Sequence, residues 1–410
     1  MSRRLVGMVL AGGLALAGCG GQAASEPREA SSTVVDSAGI TIVTSAGPER
    51  ALETAWRISA TPIATIGTVD GPPEQQLFDV ADAALLSDGS VLIANRGTHE
   101  LRIFDRSGGF VRAYGGEGEG PGEFRRLTAI DVTPGDSIFA WDQQNRRVSV
   151  FSATGGFVRS FPLAEPDGGG YPSYADRFGD GDLLVIAGRI VNDELADFQI
   201  IGGESTYLRY GPDGAPGDTL GRYPNARSMI KFLGDSGGIA VTTIPFDPAN
   251  RPVPIGDGYV AGAGRPFEIR RYDATGALVS IIRRAHQSVP ITREMLMSRF
   301  EEEYARFEDQ ADYHGAIREM FEAMPAEEAV AAFNAVLASP GGHLWVRSYP
   351  LPGDTEQVWS VFSPEGVWVT DVAVPTGMDV HAVGDGVLVG AVEDELEVEH
   401  VVVHEIVRPE

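Results

Sequence analysis

Leu101-Arg-Ile-Phe-Asp-Arg-Ser-Gly-Gly-Phe-Val-Arg-Ala-Tyr114 decides the fold, because the chain writes it twice. It returns 47 positions later as Val148-Ser-Val-Phe-Ser-Ala-Thr-Gly-Gly-Phe-Val-Arg-Ser-Phe161, and Val91-Leu-Ile-Ala-Asn-Arg96 returns as Ile138-Phe-Ala-Trp-Asp-Gln143. Each copy holds four short apolar runs; in the first they cover 83–86, 91–94, 101–104 and 110–114. Asp-Gly and Gly-Gly in the breaks supply the positive φ that tight hairpins need. Runs of this length, rich in β-branched and aromatic residues, read as strands. A period of about 40–50 residues with four strands per period is the pattern of a propeller blade, which must stack on copies of itself to bury both faces.

Between the copies lies Gly115-Gly-Glu-Gly-Glu-Gly-Pro-Gly-Glu-Phe124. Its glycines allow a compact crossing from one blade to the next, and Phe124 is the expected apolar anchor between them. No Lys-Ser/Thr follows, so the run lacks what a phosphate-binding loop requires. A degraded copy of this linker spans 67–77, after a run at 56–66 that reads as the outer strand of a blade. That orphan strand implies a ring closed by strands from both chain ends, which leaves few exposed edges.

The blades are expected at about 79–115, 127–163, 173–223 and 227–284, with blade five resuming near 335 and blade six ending the chain, completed by 56–66. Residues 39–44 read as a further strand. The repeat is interrupted by a helical insertion at about 290–336, with Thr292 as N-cap. Leu296, Phe300, Tyr304 and Phe307 fall on one face at helical spacing. Further helical runs are expected at 316–324 and 326–336. The insertion is either a cap packed on the ring or a lid and partner-docking surface presenting those four side chains. The fold class is therefore all-β: a six-bladed β-propeller with terminal strand closure and a small α-helical insertion.

Residues 1–18 read as a signal peptide, with Arg3 and Arg4 before an apolar run too short to span a bilayer. The run ends in Leu16-Ala-Gly-Cys19, and Cys19 is the only cysteine. This resembles the lipobox of bacterial lipoproteins, which implies acylation at Cys19 and a membrane hold without a spanning helix. Gly20 and Gly21 carry no aspartate, which in the enteric pattern points to the outer membrane. Residues 19–38 are expected as a flexible tether and 39–410 as the propeller. Net charge is −26, and cleavage before Cys19 would leave −28. That balance argues against nucleic acid and against docking on anionic lipid.

The Gly-x-Gly-x-Gly-Pro-Gly-Glu-Phe linker, Asn145-Arg-Arg-Val-Ser-Val-Phe151 and the Gly-Gly-Phe-Val-Arg turn resemble NHL-type six-bladed propellers. Asp394-Glu-Leu-Glu-Val-Glu-His-Val401 resembles the last blade of lipobox-bearing bacterial propellers. The resemblance implies a fold and a binding or scaffolding role; it carries over no catalytic residue.

The seven histidines show no metalloprotease or zinc-finger spacing. His400 and His404 would lie about 13 Å apart on a strand, too far for one ion, and read as structural. There is no Gly-x-Ser-x-Gly elbow. Asn95, Asp142 and Asp385 sit near strand ends, where carboxylates could converge on the axial channel and hold calcium, as in six-bladed lactonases. Two readings stand open. One is a lipid-anchored, non-catalytic binding or scaffold protein, whose partners are the membrane and a protein or small-molecule ligand. The other is a calcium-dependent, lactonase-like hydrolase with its site at the channel mouth. Otherwise no cofactor is expected.

Overall fold

A computed structural model describes residues 32–50, 54–167, 169–188, 195–234, 238–248, 251–262, 264–307, 310–326 and 328–409. Cys19 and the signal-like segment lie outside the described residues.

Blade one is built from β5 (Val80–Leu85), β6 (Val91–Asn95), β7 (Glu100–Phe104) and β8 (Phe110–Gly115), and blade two from β9 (Leu127–Val132), β10 (Ser137–Asp142), β11 (Arg147–Ser152) and β12 (Gly156–Pro162). The repeat in the sequence is a repeat of the ladder. Val91 pairs with Phe104 as Ile138 pairs with Phe151, and the outer-strand bulge at Ile103/Phe104 recurs at Val150/Phe151. The 115–124 linker folds back on itself: Phe124 N–H donates to Gly116 O and Gly118 N–H donates to Phe124 O. Gly115 has φ +110°, and a Cβ there would lie 2.6 Å from His99 O, so no other residue fits that crossing. Phe124 is fully buried between blades one and two, 5.8 Å from the Phe151 ring. Arginines fasten these linkers. Arg102 donates to the carbonyls of Pro73, Glu74 and Gln76, and Arg147 to those of Glu119, Gly120 and Glu123.

Blade three is larger than its sequence copy. It contains β13 (Tyr171–Arg177), β14 (Leu183–Gly188), β15 (Ile200–Tyr210), the long β16 (Pro216–Leu233) and β17 (Gly238–Thr243). The segment from 227, expected to open blade four, instead finishes β16 and carries β17. Blade four holds β18 (Val253–Ile255), β19 (Gly258–Gly262), β20 (Glu268–Tyr272) and β21 (Leu278–Arg284). Its outer edge is extended by β2 (Ile40–Ser45), which pairs parallel with β21, and by β1 (Ser32–Ser37). Residues 32–37, expected in the tether, are therefore a strand.

Blade five is β22 (Phe333–Ala338), β23 (Leu344–Ser348), β24 (Glu356–Phe362) and β25 (Trp368–Pro375). Blade six is β26 (Met378–Val383), β27 (Val387–Glu393) and β28 (Glu399–Val407), finished by β3 (Arg57–Ile58) and β4 (Ala64–Ile66) from the other end of the chain. The outer strand expected at 56–66 is thus two short strands, parted around Pro62, which has no N–H to give the ladder. His400 Nδ1 lies 3.1 Å from Gly67 O and His404 Nδ1 lies 2.8 Å from Ser59 O, so both histidines bind this seam structurally. Inner strands β5, β9, β13, β18, β22 and β26 touch in sequence, and β26 touches β5. The ring is closed.

Helices α1 (Arg293–Tyr304) and α2 (Ala311–Ala323) join blades four and five. Thr292 caps α1, its hydroxyl accepting from Met295 N–H. The third helix expected at 326–336 does not form: Phe333–Ala338 is the inner strand of blade five. An Ala- and Glu-rich run favours helix locally, but the ring needs a strand there and tertiary packing overrides propensity. Leu296 and Phe300 are 0% exposed and pack with Ile317, Met320 and Phe321 against Met229 and Ala240 of blade three. Of the four residues expected as a partner surface, Leu296 and Phe300 are covered by the chain itself, while Tyr304 and Phe307 are half-buried. Tyr304 reaches Thr242, their hydroxyls 2.9 Å apart, and Phe307 packs 6.0 Å from the Tyr304 ring. The apolar side chains left exposed in this region are Phe232, Ile239 and Val241, on the opposite face of the same sheet. No described helix is long and apolar enough to cross a membrane.

Candidate functional site

The inner strands surround an axial channel of about 1360 Å³, continuous in its lining with a smaller chamber of about 420 Å³. Thr128, Ala129 and Arg251 belong to both. No described residue of α1 or α2 lines either chamber, so the insertion is a cap on blade three rather than a lid over the axis.

What lines the channel follows from a repeated irregularity. In five of the six inner strands the ladder skips one residue: Ala81, Thr128, Ala175, Asn334 and His381. A bulge leaves its extra residue unpaired and re-aims the side chains beside it. Two of the bulges put a carboxylate next in the strand, Asp82 in blade one and Asp176 in blade three, and Asp131 lies further along β9.

These groups form a chain across three blades and the seam. Asp82 Oδ1 lies 3.3 Å from His381 Nδ1, while its carboxylate also accepts the N–H groups of Ala83 and Ile130. Asp131 is paired with Arg177 at 2.7 Å. Arg251 donates to Ala175 O at 2.8 Å. Asp176 accepts from Arg177 N–H at 2.7 Å and has no cation at ion-pair distance among the described residues. Its desolvation, reinforced by the Asp131 charge, pushes its pKa up to about 7. Desolvation also raises Asp131, though Arg177 opposes it. Burial alone would lower His381, but the hydrogen bond and charge of Asp82, with Asp379 and Glu399 beyond, raise it. His381 has a side chain 10% exposed, and its Nε2 is buried without a hydrogen-bond partner. The Tyr174 hydroxyl is in the same condition, and its ionisation is pushed well up by burial and by Asp131 and Asp176.

Of the three positions singled out in the sequence, Asn95 and Asp142 do other work. Asn95 accepts from Phe78 N–H and donates to Thr98. Asp142 accepts the N–H groups of Arg125, Arg126, Gln144 and Asn145, tying the linker to the β10–β11 turn. Asp385 does line the mouth of the channel, where it is exposed and lies 3.8 Å from Arg408. Among the described residues no three His, Cys, Asp or Glu side chains are grouped to hold a metal ion. The carboxylates that line the axis share it with Arg106 and Arg251, and Arg177 pairs with Asp131. The missed residues left one signal in the sequence: Asp82 and His381 are polar residues within apolar inner-strand runs.

The profile of a family described as a 6-bladed beta-propeller matches residues 74–164. The chain is a six-bladed β-propeller. A Bacteroides fragilis NCTC 9343 protein described as exported is 14% identical over 89% of this chain and 99% of its own, with a TM-score of 0.50. A Bacteroides vulgatus ATCC 8482 protein is 9% identical over 87% and 99%, also with a TM-score of 0.50. The calcium-binding protein regucalcin of Agrobacterium tumefaciens is 11% identical over 88% and 98%, with a TM-score of 0.40. Likeness at these identities concerns the fold alone. No curated protein matches the chain.

Proposed function

We propose that this propeller is an extracytoplasmic, lipid-anchored binding protein of a bacterial envelope, held to the outer membrane through Cys19, with its ligand site in the axial channel. The observation that carries the binding reading is His381. His381 lines the large channel, and its buried Nε2 has no protein partner, which marks it as a candidate recognition group, since buried polar groups are mostly satisfied. The sequence Leu16-Ala-Gly-Cys19 supports the anchor. Two measurements test the reading. Cys19→Ser should move the protein from the membrane to the soluble fraction and remove its acyl label; equal partition of both forms would rule out the anchor. A thermal-shift screen of small polar compounds should give hits on the wild type that His381→Gln loses; hits indifferent to His381 would place the site elsewhere.

A second reading is favoured by the Asp82–His381 pair. A carboxylate on Nδ1 with Nε2 free is the arrangement of a general base and its orienting partner. Turnover of lactones that is abolished by His381→Gln would favour a hydrolase; saturable binding with no product formed favours the binder.

A further inference from the structure

Charge accounting along the axis says what kind of ligand the channel suits. Beside these carboxylates Arg177 is engaged by Asp131 and by Phe178 O, while Arg251 donates to Ala175 O and has no carboxylate at ion-pair distance among the described residues. Even so the lining is acidic: Asp82, Asp131, Asp176, Asp379 and Asp385 stand against Arg106 and Arg251. Asp82 is likewise engaged, by His381 and two backbone N–H groups. Acceptors predominate among the remaining polar groups. Asp176 has one hydrogen bond and no ion-pair partner among the described residues. The Nε2 of His381 accepts when Nδ1–H is directed at Asp82. The Tyr174 hydroxyl, itself buried, has no partner. A carboxylate and an imidazole nitrogen on the larger chamber, with a phenol oxygen on the smaller, suit a ligand with several donors and a positive charge, and an alkylammonium carries three donors and no acceptor. An anion would meet the excess of carboxylates over arginines in the lining and be repelled.

Resting on the reading of the channel as a ligand site, we propose that it takes a small aliphatic ligand bearing primary ammonium groups, with Asp176 as the counter-charge and the Asp82–His381 pair as the second polar contact. Such a ligand supplies the cation that Asp176 lacks. Its binding is linked to protons. Asp176 faces Asp131 of β9, Asp82 of β5, Arg251 ahead of β18, and Arg177 and Tyr174 of its own strand. His381 faces Asp82, Asp379 and Glu399. Below about pH 7 Asp176 is protonated and offers no counter-charge. His381 gains its proton in the same direction. Both changes weaken ammonium binding as pH falls.

The probes are 1,5-diaminopentane, 1,5-pentanediol and glutarate, which share a carbon chain and differ in charge. The readout is the His381 imidazole resonance, assigned with His381→Gln. The diamine should shift it saturably, about tenfold more tightly at about pH 8 than at about pH 6, the effect of one carboxylate titrating near 7. The diol and glutarate should leave it in place. Asp176→Asn, close in shape to the protonated acid, should weaken the diamine about tenfold and flatten its pH dependence. If glutarate or the diol binds as well as the diamine, the ammonium assignment is overturned while the channel remains the ligand site. If none of the three moves the resonance, the assignment falls together with the channel reading. Unchanged diamine affinity in a folded Asp176→Asn protein also overturns it.

Discussion

His381 Nδ1 stands 3.3 Å from Asp82 Oδ1, so this pair ties blade six to blade one at the junction where the ring closes. The same junction is bonded by Val80 N–H, which donates to the Glu399 carboxylate. One end of the candidate site is thus assembled only when both chain ends are in place. Ring closure and site formation are one event.

Asp82→Asn should lower the His381 pKa, read by imidazole NMR, because the charge that raises it is gone. His381 has a folded pKa above its ordinary 6.5, so its contribution to stability is full below 6.5 and fades as pH rises through the folded value. The stability gap between wild type and variant should therefore be widest in acid, at about 1–3 kcal/mol, and narrow above neutrality. A gap that widens with pH would contradict the pairing.

Asp247, 1% exposed, is gripped by Arg227 at 2.7 Å and Arg265 at 3.2 Å, and both arginines also reach Glu328. This network joins blade three, blade four and the segment that returns from the helical cap to blade five. Burial would raise the Asp247 pKa, but the Arg227 hydrogen bonds, with Arg265 behind them, bring it below its ordinary 3.8. Asp247→Ala leaves two arginines facing a hole and should cost about 3–5 kcal/mol in urea unfolding. The wild-type advantage should hold above pH 3.8 and disappear as pH falls through the lowered value.

Phe300→Ala should destabilise the fold by about 3–5 kcal/mol, the cost of emptying a fully buried aromatic site. Ligand affinity in the axial channel should not change, because no described cap residue lines it. Altered affinity in a folded variant would restore the lid reading.

Deleting residues 396–410 removes β28, to which β27, β3 and β4 are all bonded. Cooperative thermal unfolding should be lost. A truncated protein with the wild-type melting temperature would contradict closure by both termini.

The two blades with an intact repeat were legible because their strands follow one another through short Asp-Gly and Gly-Gly turns, a local signal. Terminal closure was legible for a related reason: the run at 56–66 precedes a recognisable linker and has no neighbour in sequence to pair with. What escaped was non-local. The parallel addition of β2 to β21 spans more than two hundred positions with no turn to announce it. The run 326–336 carries a helical composition that the ring overrides. Asn95 and Asp142 have the look of a channel carboxamide and carboxylate, yet they spend their oxygens on nearby N–H groups; Asp385 alone of the three reaches the channel, exposed at its mouth. The groups that do line the axis depend on bulges, and a one-residue bulge leaves no clear trace in hydrophobic periodicity.

The central claim is that the axial channel is the ligand site, and Thr128→Trp tests it most directly. Thr128 is a bulge residue that lines both chambers, so an indole there takes up space inside the channel while leaving Asp176 and the Asp82–His381 pair in the sequence. Calorimetric titration of 1,5-diaminopentane at about pH 8 should give saturable binding to the wild type and none to a Thr128→Trp protein of unchanged melting temperature. Equal binding to both proteins would contradict the account.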